Sequence, residues 1–263
     1  MTIANVVPRR RHGALRTISV LAAMELRLLR REPGVLVALI GFPAVTVLVI
    51  AGVFGSTPDP DFGGLIPSEH YVVGYLSVVL AAMGLITLPA MIAERRERGV
   101  LRRYTSSGVA GGVVVGSHAA IGAIVGTAAS AVVLLVGALV YGVPAPEDPV
   151  ATGAWFLAGL ACFTAMGGAL GVLMPSARVA AAIGNLLFVP MFLLGGGGPP
   201  RDVMTGPMQT ISELLPLTHV VGGLRDSWLG STDDPHFLPW PVLVAIVVTA
   251  LAVRASRRTA RAR

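Results

Sequence analysis

Lysine is absent from this 263-residue chain, so all twenty basic residues are arginine. A phosphate-binding loop of the form G-x-x-x-x-G-K-S/T needs that lysine to reach nucleotide phosphates, and a Schiff-base mechanism needs its amine, so both are excluded. If the protein depends on ATP, another polypeptide must bind it. Cysteine is nearly missing too, and the single Cys162 can form neither an internal disulfide nor a cysteine metal cluster. Aromatic residues are only 6% of the chain, which leaves few rings to stack on a sugar polymer. Charge is missing from six long stretches, 35–54, 71–93, 113–141, 151–174, 179–196 and 237–253, none of which contains Asp, Glu or Arg.

Each stretch is close to the ~20 residues a helix needs to cross a bilayer core, the last being the shortest. The pattern predicts an all-α integral membrane protein with six spans, folded as a single domain over 1–263. Between the stretches the charges alternate in sign. Seven arginines precede the first, five lie between the second and third, Arg178 lies between the fourth and fifth, and five follow the sixth. Ten of the fourteen acidic residues sit in the three opposite loops, among them Asp59, Glu69, Glu147, Asp148 and Asp226. The positive-inside rule then puts both termini and the Arg-rich loops in the cytoplasm, and the chain in the cytoplasmic membrane. A sequence pI near 10.6 would suggest nucleic acid in a soluble protein, but here the arginines flank spans, where anionic lipid headgroups attract them. No nucleic-acid partner is expected. The basic N-terminus and the long run from Val35 read as a retained first span, with a cleaved leader as the alternative.

Between the charged termini and the spans lie three segments of their own. Residues 15–31 place Ile18, Leu21, Ala22, Leu28 and Leu29 on one helical face and Arg16, Arg27, Arg30 and Arg31 on the other, which predicts an interfacial helix or a basic anchor. Residues 199–228 are too apolar for an exposed loop. Two short helices separated at Leu215-Pro216 would suit them, as an outer re-entrant or surface-lying hairpin with Val220, Val221, Leu224 and Trp228 on one face. Tyr71 and Tyr75 are expected at the outer interface, Pro89 predicts a kink, and the glycines of spans three and four predict close helix packing.

Chemistry has few places to reside. Within the six stretches the only strongly polar side chains besides hydroxyls are His118 and Asn185, so proton-coupled transport is disfavoured. Asn185 is expected to bond a neighbouring helix. The five histidines are scattered, with no H-E-x-x-H, no metal-spaced carboxylate pair and no G-x-S-x-G, so no catalytic or metal site is assigned. The densest signal is 93–109, AERRERGVLRRYTSSGV, where Glu94, Arg95, Arg96, Glu97 and Arg98 are followed by Gly99, Leu101, Arg102, Arg103 and Tyr104. Acidic residues and an apolar edge exceed what topology requires. The segment predicts a short amphipathic helix at 94–104, offered to a cytoplasmic partner, or else a solvated basic loop.

The loop from Glu94 resembles the segment after span two in membrane subunits of type-two ATP-binding-cassette exporters, through Glu94, Glu97, Gly99, Leu101 and Arg102. Val100 stands where Thr is usual, and Gly108 where Pro is common. A second stretch, LLPLTHVVGGLRD (214–226), is similar to the one that precedes the last span in drug- and antibiotic-resistance members. The resemblance implies a permease that pairs with a second copy or homologue and docks on two separate P-loop ATPase subunits, which hold the ATP and Mg. It binds no cofactor itself. It also implies a coupling loop at 94–108, with Glu94, Arg95, Glu97, Gly99, Leu101, Arg102 and Tyr104 facing the ATPase, and an outer gate carrying Pro216, Thr218, His219 and Arg225. Efflux of a hydrophobic or amphipathic drug, antibiotic or lipid is the implied activity. The alternatives are an ATP-independent transporter, a membrane assembly or binding protein without transport, and a membrane enzyme.

Overall fold

The computed structural model describes residues 14–31, 33–62, 64–100, 111–230 and 236–261, and among them no strand occurs. The helices are α1 (Ala14–Leu29), α2 (Pro33–Phe54), α3 (Pro67–Ala82), a π-helical turn (Met83–Thr87), α4 (Leu88–Glu97), α5 (Gly111–Tyr141), α6 (Pro149–Leu173), α7 (Ala177–Leu194), α8 (Gly206–Glu213), α9 (Pro216–Leu229) and α10 (Pro239–Arg261). α3, the π turn and α4 form one continuous rod. Several helices begin on proline, whose missing N–H would be unpaired at a helix start anyway. Asp148 caps α6, its carboxylate accepting from Val150 N at 3.0 Å and Ala151 N at 2.9 Å.

Among the described residues, four helices are long and apolar enough to cross a membrane: Pro67–Glu97, Val115–Tyr141, Pro149–Leu173 and Ala177–Leu194. The apolar parts of α2 and α10, Leu39–Phe54 and Pro239–Ala255, are shorter. Helical structure answers the apolar medium, because each interior backbone group finds its partner within its own segment.

α3 is the axis of the bundle. Every residue from Tyr71 to Ala81 is buried, against α2, α5, α6 and α9. Tyr71 and Tyr75 are therefore inside the protein, each 2% exposed, rather than facing lipid as amphipathic rings would. The Tyr71 hydroxyl donates to Gly198 O at 3.2 Å. A helix wrapped on all sides has no lipid-facing stripe on which an aromatic belt could form. Asn185 also departs from expectation, since it is exposed and donates to Ala181 O of its own helix at 2.9 Å.

The kink expected at Pro89 is a π turn. Leu88 N–H reaches back five residues to Met83 O, and Pro89 has no N–H to continue the ladder. Carbonyls in this turn press on glycines of two neighbouring helices. A β-carbon on Gly167 of α6 would lie 2.0 Å from Gly84 O, and one on Gly184 of α7 would lie 1.8 Å from Leu85 O. One turn further on, a β-carbon on Gly171 would meet Ile92 at 2.6 Å. Such close approach lets α-carbon hydrogens cover carbonyl oxygens that have lost helical partners.

Gly184→Ala should therefore destabilise the bundle by about 1–3 kcal/mol, the usual cost of overpacking. Gly153→Ala, where nothing lies within 4 Å of the added carbon, should not. Thermal unfolding of the detergent-solubilised variants checks the contrast; equal midpoints would contradict the packing described.

Candidate functional site

Polar side chains cluster at the two ends of the α3–α4 rod. At the α3 end the centre is Arg225 on α9, 3% exposed. Its Nε donates to His70 O at 3.1 Å and its Nη2 to Gly196 O at 2.8 Å, so one guanidinium joins α9, α3 and the glycine-rich turn after α7. Gly74 makes room for it, since a β-carbon there would lie 2.8 Å from Nη2. Gly196 takes a positive φ of 100°, which a side chain would strain.

Pro216, Thr218 and His219 act at the break between α8 and α9. Proline at the start of α9 offers no N–H to the end of α8, and two side chains supply donors instead. Thr218 Oγ1 donates to Ser212 O at 2.6 Å, and His219 Nε2 to Glu213 O at 2.8 Å. A carbonyl only accepts, so Nε2 carries the proton in that bond. The other end of α9 is tied to the turn before α6: Asp148 N donates to Ser227 O at 2.9 Å and Trp228 Nε1 to Pro144 O at 2.8 Å. Val220, Val221, Leu224 and Trp228 are all buried. The four predicted residues of this segment thus lie at one helix break and one buried junction. A cavity of about 20 Å³ beside Arg225 has room for a single water, far below what a drug-sized ligand occupies.

At the α4 end, Glu94, Arg95 and Glu97 belong to the last turn of α4 rather than to a separate short helix. Gly99, with φ +70°, ends that helix in the left-handed conformation, its N–H donating to Arg96 O at 3.1 Å. Glu94 pairs with Arg98 at 2.6 Å. Glu97 accepts from Ala177 N at 3.0 Å, at the start of α7. Leu101, Arg102 and Tyr104 lie outside the described residues.

Arg96 was not singled out by the sequence, yet it makes two bonds to a distant part of the chain. Its two terminal nitrogens donate to Val172 O and Met174 O where α6 ends. Only its place in a charged run marks it, and nothing local points to α6. Ser176, which caps α7 by accepting from Val179 N at 3.2 Å, had a readable signal as a serine just before an apolar helix. Among the described residues no group of three or more His, Cys, Asp or Glu could hold a metal ion.

The family model of the ABC-2 type transporter matches residues 16–229. The chain belongs to the ABC-2 type transporter family. Both polar clusters lie within the matched region. The chain is 25% identical over 155 residues to the curated "Putative transport permease YvfS" of Bacillus subtilis (strain 168), an overlap of 59% of this chain. That overlap spans 63% of the relative's length. With family and helices together, this ABC-2 chain is a multi-pass membrane protein.

Arg225→Lys should lose the forked grip and leave a buried carbonyl bare, at about 1–3 kcal/mol per carbonyl. Arg201→Ala, which removes the more exposed Arg201–Glu213 pair, should cost less than about 1 kcal/mol. Denaturant midpoints in mild detergent measure both, and a larger effect at Arg201 would reverse the ranking.

Proposed function

We propose that this ABC-2 chain is the permease subunit of an ATP-binding-cassette exporter, moving a hydrophobic or amphipathic substrate with energy from ATP and Mg held by two separate P-loop ATPase subunits. The observation that carries the proposal is the family match across residues 16–229, joined to the charged end of the packed α3–α4 rod. The family names a transporter, and the chain has no lysine for a nucleotide loop. In this reading α2 and α10 complete six spans, and the α4 end and both termini lie in the cytoplasm, where the arginine-rich loops favour them. The Glu94–Arg98 pair, with side chains 48% and 71% exposed, is then a surface for the ATPase.

The substrate path belongs between protomers in this reading. The cavities beside Arg225 and beside the π turn, about 20 and 10 Å³, are too small for such a molecule. α2 and α7 instead turn large apolar side chains outward, with Phe42 74%, Val53 73% and Leu186 68% exposed. A second copy or a homologue would cover part of that surface and lipid the rest. Export switching then requires two packings that the ATPase biases differently.

Affinity purification from the native membrane should recover a lysine-bearing P-loop protein whose hydrolysis rises in the complex. Glu94→Ala with Arg98→Ala should weaken its capture by about tenfold, equivalent to about 1.4 kcal/mol. Purified chain alone moving solute uphill would favour an ATP-independent transporter and overturn the proposal.

A further inference from the structure

The last turn of α4 has two working faces. Glu94 and Arg98, one turn apart, pair with each other on the exposed side. Arg96, half-buried, and Glu97, itself exposed, make their bonds to the junction of α6 and α7. Helix ends leave backbone groups without helical partners, carbonyls at the carboxyl end and N–H groups at the amino end, with partial charges to match. Each side chain meets the complementary end: the Arg96 guanidinium takes Val172 O and Met174 O at the close of α6, and the Glu97 carboxylate takes the Ala177 N–H at the opening of α7. Ser176 takes a further N–H, that of Val179. Consecutive residues of one helix thus hold the facing ends of two others, and the glycine contacts of α6 and α7 with the π turn lie directly behind.

We infer that Arg96 and Glu97 are positioning residues, forming a fixed joint through which displacement of α4 is carried into α6 and α7, while the Glu94–Arg98 face is left for the partner. The inference rests on the reading of the chain as an ATP-driven permease. It separates two tasks within one charged run: docking on one side, transmission on the other. A joint of this kind moves as a unit and does not open during the cycle.

Ala177→Pro isolates the joint. It deletes the N–H that Glu97 holds, and proline is well tolerated at the first position of a helix. Ser176 already has the extended backbone, φ −144° and ψ 161°, that a following proline requires. The variant also leaves every charge in place. The reporter is Leu193→Cys near the far end of α7, 45% exposed, in a Cys162→Ala background. Its maleimide labelling rate is measured in the complex with the co-purified ATPase, with and without a non-hydrolysable ATP analogue. The parent should label at a rate that depends on nucleotide. Ala177→Pro should lose that dependence while still capturing the ATPase and supporting its hydrolysis; Glu97→Ala should lose the dependence too, whereas Glu97→Gln, which keeps an acceptor oxygen, should retain it. A part that is merely structural would lower the unfolding temperature and leave the nucleotide dependence intact.

Persistence of the dependence in Ala177→Pro, its absence in the parent complex, or loss of ATPase capture in Ala177→Pro would each overturn the inference. Should Glu97→Ala fail to fold, Ala177→Pro against Glu97→Gln still decides the matter. Failure of the parent to capture any ATPase is a different result, and it sinks the functional reading itself.

Discussion

Within an apolar medium every backbone carbonyl released from a helix must be met by a donor or covered by a neighbour, and the architecture of this protein follows from that requirement. Helices are interrupted at the π turn, at the α6–α7 junction, between α8 and α9, and at the glycine turn after α7. Each interruption has its own answer. Gly167 and Gly184 cover the π turn, Arg96 and Glu97 serve the α6–α7 junction, Thr218 and His219 serve the break before α9, and Arg225 serves Gly196. Arg96, Thr218, His219 and Arg225 are thus found where the ladder of backbone bonds is broken, while other buried polar side chains, Ser77, His118 and Ser130 among them, lie within helices.

This placement explains why the two polar clusters lie at opposite ends of the rod. The central stretch of α3 is uninterrupted helix and calls for no polar help. Its Ser77 bonds back to Gly74 O at 2.8 Å within the same helix, while Ser130 of α5 donates to Leu76 O at 3.2 Å. The remaining contacts are apolar, among them Leu80, Phe163, Leu217 and Leu224. Dispersion and close approach hold the middle, and directed hydrogen bonds hold the ends. The middle can then slide or tilt over small distances at less cost than the ends can part.

Helix positions were largely legible in the sequence because the apolar runs and the prolines at their starts are local signals. The charge-free stretch 71–93 sits inside Pro67–Glu97, and 151–174 nearly coincides with Pro149–Leu173. Relations between helices were not legible. Hydropathy alone does not reveal that α3 is surrounded on every side, so it does not show that Tyr71 and Tyr75 are packed inside the protein. Pro89 announced a distortion, but its form depends on two glycines about 80 and 100 residues later in the chain. Glu97 was recognised within its charged run, whereas its bond to Ala177 spans a separation of 80 positions. Arg225 stood out through resemblance, and its burial emerged only once Gly74 and Gly196 were brought beside it.

The π turn carries a geometric corollary. An α-helix advances about 1.5 Å and turns about 100° per residue, and a π turn accommodates one residue more than the α-helical count over the same arc. Everything beyond Thr87 is thereby re-phased by roughly one residue relative to everything before Met83. With a straight rod, the azimuth at which α4 presents Arg96 and Glu97 would be rotated away from the α6–α7 junction. Aim at that end is set by an irregularity in mid-rod.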